Sequence, residues 1–264
     1  MDITISKRAM ETVRSYTYMT DRFMSRAFDE DVAQVILPII MDRPLTVMRV
    51  TPQFVAEDFF AKGCRFDVFA QDDSGKYYNI EVQNAEGGAD ARRAHYNCER
   101  ADSMLIHKGQ EYKEYPDLYV IFITETDYLG YGEPIYHINR YIEENGELFD
   151  DGQQIIYVNG TAKNPMTALG QLMIDMRQSD YTKINNKVMA NKMKELKEGT
   201  VFRAMCSEVE KLTAEVAAET RISTGVAPYL DCGLDEETVI KKAMEKYGVS
   251  REEAEAAITE AKKQ

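Results

Sequence analysis

Apolar residues in the first part of the chain follow two different spacings. In residues 8–41 they recur at three- and four-residue intervals, which predicts helical structure, and Pro38 is expected to bend or end that helix. Short apolar runs between turn residues follow and predict strands. The predicted strands are residues 44–54, two arms within 65–83, 117–124, 134–142 and 153–160. Residues 88–109 return to helical spacing, and Gly109 is placed to stop that helix.

From about Pro165 the strand pattern gives way to Met-, Lys- and Glu-rich helical sequence that continues to the last residue. Gly and Pro within residues 222–233 predict one break in this helical region. Two short helices are expected after the break. Asp235 is the N-cap candidate of the first, and Ser250 with Glu253 has the spacing of a capping box at the start of the second.

The order of these elements predicts an α/β chain in two parts. Residues 1–165 are expected to form an α+β-like module in which a mixed β-sheet is flanked by helices. Residues 166–264 are expected to form an all-helical extension that ends in a two-helix unit.

Composition and charge narrow the function classes. Of the 264 residues, 44% are hydrophobic and 29% are charged, and no run approaches the roughly 18 apolar residues of a membrane span. The first residues lack the basic and apolar regions of a secretory signal, so a cytoplasmic location is expected. A net charge of −13 and a pI near 4.8 argue against a broad basic face for nucleic acid. Any contact with nucleic acid should therefore be local.

The cysteines and histidines do not have the spacing of metal ligands. No CxxC pair and no HxH or HExxH motif occurs among them. We therefore expect neither a zinc site nor a disulfide framework, and we expect reduced, mostly buried thiols. The residues are Cys64, Cys98, Cys206, Cys232, His95, His107 and His137.

The segment RFDVFAQDDSGKYYNIEVQ, residues 65–83, predicts a β-hairpin that carries acids inside its strands. A three-residue loop ending in Gly75 joins the two arms, with Gly75 in the left-handed conformation. Lys76 then pairs with either Gln71 or Asp72. The second register places Asp67 directly opposite Glu81, and Gln83 points to the same side as Glu81.

Two opposed carboxylates about 5 Å apart repel each other, and inside a protein one of them should retain a proton. A divalent cation between them removes the repulsion, and carboxylate oxygens suit Mg²⁺ or Mn²⁺. Gln83 could then orient a water bound to that cation. The alternative is a hairpin at a sheet edge, with both acids on a solvated face.

The helix predicted after the hairpin adds a basic and an aromatic residue. Arg93 and Tyr96 are three positions apart and share one face of this helix. A guanidinium beside a metal-bearing hairpin can hold a phosphate group through two hydrogen bonds. The alternative is a solvated helix side on which acidic neighbours pair with the arginine.

The sequence resembles the PD-(D/E)xK nucleases, and within them the branch of Rpn-type recombination-promoting nucleases and transposases. The family places an Asp on one strand and E-x-K or E-x-Q on the next, and RFDVF with NIEVQ is similar to the second form. DARRAHY is similar to the acid–arginine–tyrosine helix of this branch, and DRFMSRAF resembles its opening motif, in which Asp21 supplies the acid. The sequence departs from the family at Gln83, where the broader family has lysine, and at Met24 and Ser25 in the opening motif.

This resemblance covers roughly residues 15 to 160 and implies a restriction-endonuclease-like core that hydrolyses DNA phosphodiester bonds, with a link to recombination or a mobile element. It implies that Mg²⁺ or Mn²⁺ binds the two hairpin acids and a backbone carbonyl. A further acid and the glutamine would complete the site, and the helix would contact the DNA backbone. In this chain the implied metal ligands are Asp67, Glu81 and the Val82 carbonyl; the other implied site residues are Gln83, Asp21, Arg93 and Tyr96.

Two functions from different classes therefore remain. The first, which we favour, is a metal-dependent DNA endonuclease. The second is a catalytically inactive scaffold of the same fold, which would act through protein–protein contacts of its Met-rich helical extension, including self-association. The acidic charge and the missing lysine favour the second function.

Overall fold

The protein is described by a computed structural model whose coordinates define residues 5–56, 64–83, 88–105 and 109–262. The chain divides into two compact units. One unit comprises Arg14–Gly199 and contains the whole β-sheet, and the other comprises Met1–Val13 with Thr200–Gln264. The domain boundary predicted near residue 165 stays a prediction.

A six-stranded mixed sheet is the centre of the first unit, with strand order β1-β2-β3-β4-β6-β5. The strands are β1 Val47–Ala56, β2 Cys64–Asp72, β3 Tyr77–Gln83, β4 Leu118–Thr124, β5 Ile135–Ile138 and β6 Gln153–Asn159. β1, β2 and β3 are antiparallel neighbours, β4 runs parallel to both β3 and β6, and β5 is antiparallel to β6. All predicted strands are therefore confirmed.

Helices flank this sheet and form the C-terminal region. They are α1 Lys7–Ser15, α2 Asp21–Ala27, α3 Glu30–Ile40, α4 Ala91–Leu105, α5 Ala168–Met176, α6 Lys187–Glu198, α7 Thr200–Asp231, α8 Glu236–Tyr247 and α9 Arg251–Ala261. Two 3₁₀ turns, Tyr112–Glu114 and Tyr181–Lys183, complete the elements. This is the α/β restriction-endonuclease-like fold that the resemblance implied, with additional C-terminal helices.

Local sequence explains several element boundaries. Pro52 lies within β1, where it is tolerated because β1 is an edge strand. α3 ends two residues after Pro38, as predicted. β4 is a continuous apolar run because parallel neighbours flank it and both its faces are covered. Asp235 caps α8, and Ser250 with Glu253 forms the predicted capping box of α9.

The break predicted in residues 222–233 is found only at the end of that segment, because α7 continues to Asp231 and the turn at Gly233, with φ +75°, follows it. Gly225 is a packing residue of α7: a Cβ there would come within 1.7 Å of the Tyr247 hydroxyl on α8. Pro228 also lies inside the helix, which then ends within one turn. Ile222 and Val226 are buried against α8 and α9, so the tertiary packing of this unit outweighs the local helix-breaking tendency.

The histidine and cysteine side chains differ in their exposure to solvent. Cys98 and Cys206 are buried free thiols and Cys232 is exposed, while His95 and His137 face solvent. The side chains of Cys64 and His107 lie outside the described residues, as does the junction between α4 and Gly109. Along the described ranges, no helix is both long enough and apolar enough to cross a membrane.

Candidate active site

The hairpin between β2 and β3 has the second of the two predicted registers. Val68 pairs with Ile80, and the Asp72 N–H donates to the Lys76 carbonyl at 3.0 Å. Gly75 has φ +82°, the left-handed conformation that the loop requires. By the same register Asp67 lies opposite Glu81, one step beyond the Val68 pair.

At this position the two carboxylates make contacts across the hairpin. The Val82 N–H donates to Asp67 Oδ2 at 3.1 Å, and the Asp67 N–H donates to Glu81 Oε1 at 3.4 Å. Each acid therefore accepts a hydrogen bond from the backbone of the opposite strand. Since the N–H and C=O of one strand residue point to the same side, the Val82 carbonyl also faces β2.

Both acids are buried, because β2 and β3 are internal strands of the sheet. Glu81 is 0% exposed and Asp67 is 7% exposed. The alternative of a hairpin edge with a solvated face is therefore wrong. Buried acids need partners or a functional reason, because an unpaired charge inside a protein is strongly destabilising.

A third carboxylate comes from the first residue of α2. Asp21 interacts with Asp67 through both its charge and a side-chain hydrogen bond. Burial and then the Asp21 charge raise the pKa of Asp67 to about 6, against the opposing effects of the Val82 N–H and Arg93. α2 packs on β2 and β3, which brings together two acids that are far apart in the sequence.

Glu81 is perturbed more strongly. Burial raises its pKa to about 8, the charge of Asp67 adds to this, and the guanidinium of Arg93 opposes it. Arg93 lies in the first turn of α4 and places Nη2 3.4 Å from Glu81 Oε2 and Nη1 3.4 Å from Gln83 Oε1. Its side chain is 43% exposed. The guanidinium therefore contacts the buried Glu81 on one side and solvent on the other.

Tyr96 follows Arg93 on α4 but has a different environment. Its ring is partly buried against the hydrophobic cluster between α4 and the sheet. Asp90, the acid of the predicted helix motif, accepts a hydrogen bond from the Arg92 N–H at 2.8 Å and fixes the start of α4.

A second charged pair borders the site and was not found in the sequence. The Glu125 N–H donates to the Gln83 carbonyl at 3.0 Å, and the Glu125 carboxylate lies 3.5 Å from Arg177 Nη1. Arg177 Nε also donates to the Gly160 carbonyl at 2.9 Å. Glu125 follows the end of β4, where carboxyl ends of parallel strands meet, which is the only signal that could have indicated it.

The donor set fits a hard divalent cation. Asp67, Glu81 and the Val82 carbonyl offer oxygen atoms on facing strands, and burial together with the charges of neighbouring acids raises the pKa of both carboxyl groups, which a bound cation would reverse. Across the described residues, no group of three or more His, Cys, Asp or Glu side chains is arranged to hold a metal ion. Asp21 therefore does not complete a three-carboxylate site in this conformation.

The fold and the two buried acids of the hairpin define the class of the protein: a restriction-endonuclease-like core with its acids on two internal antiparallel strands. Residues 36–217 match the family model described as PD-(D/E)XK nuclease family transposase, and the chain belongs to this family. The match includes both hairpin acids and α4 but begins after Asp21. No curated protein and no solved structure matches the chain.

Proposed function

We propose that this protein is a metal-dependent endonuclease that hydrolyses DNA phosphodiester bonds. The observation that carries the proposal is the pair of buried carboxylates, Asp67 and Glu81, held across the hairpin with pKa values of about 6 and about 8. Such an arrangement is unfavourable for the free protein and becomes favourable when a cation is bound. Family membership supports DNA as the substrate.

In this proposal Asp67, Glu81 and the Val82 carbonyl hold Mg²⁺ or Mn²⁺. The cation would polarise the scissile phosphate and lower the pKa of an attached water. Gln83 accepts from Arg93 and has an amide N–H₂ left to position the attacking water. The exposed face of Arg93 would contact the phosphate oxygens, with Tyr96 beside it on α4.

Asp21 has a separate proposed role. Its charge acts directly on Asp67, so it controls the fraction of Asp67 that is ionised and ready to bind a cation. A small movement of α2 would also let it enter the coordination shell. We further propose that the DNA break serves recombination or movement of a mobile element, which the transposase description of the family supports.

Metal binding is tested first, by calorimetric titration of Mn²⁺ into the wild-type protein, Asp67→Asn and Glu81→Gln. Binding should be lost in both variants and retained in the matched surface control Glu143→Gln, whose side chain is exposed. If wild type binds no Mn²⁺, or if all variants bind equally, the hairpin is not the metal site.

Cleavage is tested with supercoiled plasmid and Mg²⁺ or Mn²⁺, comparing wild type with Glu81→Ala and with Glu143→Ala. The wild type and the control should nick the plasmid, and Glu81→Ala should reduce the rate at least about 100-fold, because a transition-state stabiliser is lost. Absence of both metal binding and cleavage would favour the inactive scaffold. Protein–protein contacts of the helical extension, with another copy or with a partner, would then be its function, and this stays a prediction.

A further inference from the structure

A row of directly paired residues crosses the sheet from the acid site to its far edge. Glu81 pairs with Phe122, Phe122 with Tyr157, and Tyr157 with Tyr136, so the four side chains lie on the same face. Neighbouring strands are about 4.8 Å apart, which places Tyr136 about 14 Å from Glu81. The aromatic rings of Phe122 and Tyr157 stack at 5.3 Å. Phe122 and Tyr157 are buried against α4, so the row does not form a surface; it fixes the position of Tyr136 relative to the candidate site.

The loop between β4 and β5 is built on the end of this row. Asp127 accepts hydrogen bonds from the Gly130 N–H at 3.1 Å, the Gly132 N–H at 2.8 Å and the Tyr136 hydroxyl at 2.7 Å. Both glycines have positive φ, +76° and +80°, which the loop path requires. Tyr128 stacks on a ring of the row at 5.8 Å. These contacts hold the loop in one conformation.

Tyr131 lies between Gly130 and Gly132 in this loop, and 80% of its surface is exposed. Among the residues that the structure describes, its ring makes one aromatic contact, edge-on with Tyr136, at a centroid distance of 6.2 Å and an angle of 63°. The two faces of the ring are therefore available for stacking. A rigidly mounted exposed aromatic ring is the feature that proteins use to hold an unpaired nucleobase, since every base offers a π-face.

The charges around the loop fit a local contact with a nucleic-acid strand. The Tyr157 hydroxyl donates to the Ala89 carbonyl at 2.7 Å, so the aromatic row reaches the start of α4, one turn before the exposed Arg93. Two of the nearby acids have local partners, because Asp127 accepts two backbone amides and a hydroxyl and Glu125 pairs with Arg177, while Glu133 is exposed. A phosphate at Arg93 and a base at Tyr131 can thus belong to one strand.

We propose that Tyr131 is a base-stacking residue that selects DNA with unpaired bases a few nucleotides from the scissile phosphate. Single strands, overhangs and locally melted duplexes share this chemistry, whereas the bases of an intact duplex are stacked on one another and offer no free face. This proposal rests on the proposed endonuclease function and adds the substrate class. It requires the strand to cross the protein surface between the exposed side chains of Arg93 and Tyr131.

Stacking is measured by fluorescence, because the chain contains no tryptophan. The variant Tyr131→Trp introduces a single reporter, and its emission should be quenched when a single-stranded oligonucleotide is added without divalent cation. Tyr112→Trp is the matched control, since Tyr112 is equally exposed at 84% and lies in the 3₁₀ turn Tyr112–Glu114. Its emission should not change with DNA, and equal quenching at both positions would overturn the proposal.

Affinity is measured by fluorescence anisotropy with single-stranded, overhang and blunt duplex oligonucleotides. Tyr131→Ala should weaken binding of the first two at least about fivefold, Tyr131→Phe should bind within about twofold of wild type, and Tyr112→Ala should bind as wild type does. The blunt duplex should bind weakly and equally to all four proteins. A Tyr131→Ala variant within twofold of wild type on every DNA refutes the stacking role.

The two proposals fail in distinguishable ways. If the wild type cuts plasmid and Tyr131→Ala binds and cuts all three DNAs as wild type does, the endonuclease stands and the stacking role falls. If the wild type neither cuts nor binds any of these DNAs, the endonuclease proposal falls and the stacking role falls with it. A protein partner at Tyr131 would give that second result.

Discussion

Removing the buried charge of Glu81 should make the metal-free protein more stable. Glu81 is completely buried, and burial together with the Asp67 charge raises its pKa from 4.5 to about 8. Most substitutions of a buried residue that forms an ion pair reduce stability. Glu81→Gln should do the opposite, because the amide keeps the shape and the acceptor oxygen of the side chain and does not have to take up a proton on folding.

The direction of this stability change follows from the pKa of Glu81 in the folded state and in the unfolded state. The folded-state value lies above the unfolded-state value, so between about pH 4.5 and pH 8 the folded chain retains a proton that the unfolded chain has released. Below this window both states hold the proton, so the titration of Glu81 contributes nothing to stability. As pH rises through the window, the free energy of unfolding falls by up to about 1.4 kcal/mol per pH unit. At neutral pH the loss is about 3 kcal/mol.

The contact with Arg93 adds no separate cost. Its opposing effect is already part of the raised pKa of Glu81, and the protonated carboxyl of the folded protein forms no ion pair at neutral pH. The net gain at neutral pH is therefore about 3 kcal/mol. For a unit of this size such a gain raises the Tm by about 6–12 °C.

Thermal unfolding by circular dichroism, with a chelator present, measures this effect at about pH 4.5 and about pH 8. Glu81→Gln should match wild type at the lower pH and unfold at a higher temperature at the upper pH, while Glu143→Gln should follow wild type throughout. A variant that is no more stable than wild type at the upper pH would refute the reasoning. An equal gain at both pH values would refute it as well.

Two further predictions concern packing away from the hairpin. Gly225→Ala should lower the free energy of unfolding by about 1–3 kcal/mol despite the better helix propensity of alanine, because the added Cβ would overlap the Tyr247 hydroxyl. Thermal unfolding of Gly225→Ala with and without Tyr247→Ala should show partial recovery in the double variant. Lys197→Met should lower the free energy of unfolding by about 2–4 kcal/mol in urea, because the Lys197 ammonium donates to three backbone carbonyls at 2.5–2.7 Å. Lys194→Met, at an exposed position, is the control, and equal urea midpoints for the two variants would contradict the prediction.

Local rules limited the hairpin to two possible registers. Gly75 requires a left-handed position, and the three-residue loop left two registers for Lys76, one of which the structure has. The opposition of Asp67 and Glu81 follows from that register alone. Strand alternation and turn chemistry act over a few residues, so the sequence could supply both candidate registers, and the structure identifies the one that forms.

The burial of the acids and the approach of Asp21 could not be predicted in this way. Both depend on the order of strands in the sheet and on the packing of α2 across β2 and β3, which are long-range properties. The continuity of α7 up to Asp231 could not be predicted for a related reason. Gly225 reads locally as a helix breaker, and only the position of Tyr247 on α8 shows that a glycine is needed for packing.

The acidic character of the chain sets a limit on how it can bind DNA. With a net charge of −13, a surface that neutralises many phosphates is not expected, and affinity should come from the bound cation, the guanidinium of Arg93 and the ring of Tyr131. Proteins that contact 6–10 phosphates lose affinity steeply with salt, with log–log slopes of about −5 to −9. Here we expect a slope of about −1 to −2, measured by anisotropy with an overhang oligonucleotide. A slope steeper than about −4 would require a basic surface and would contradict the local mode of contact.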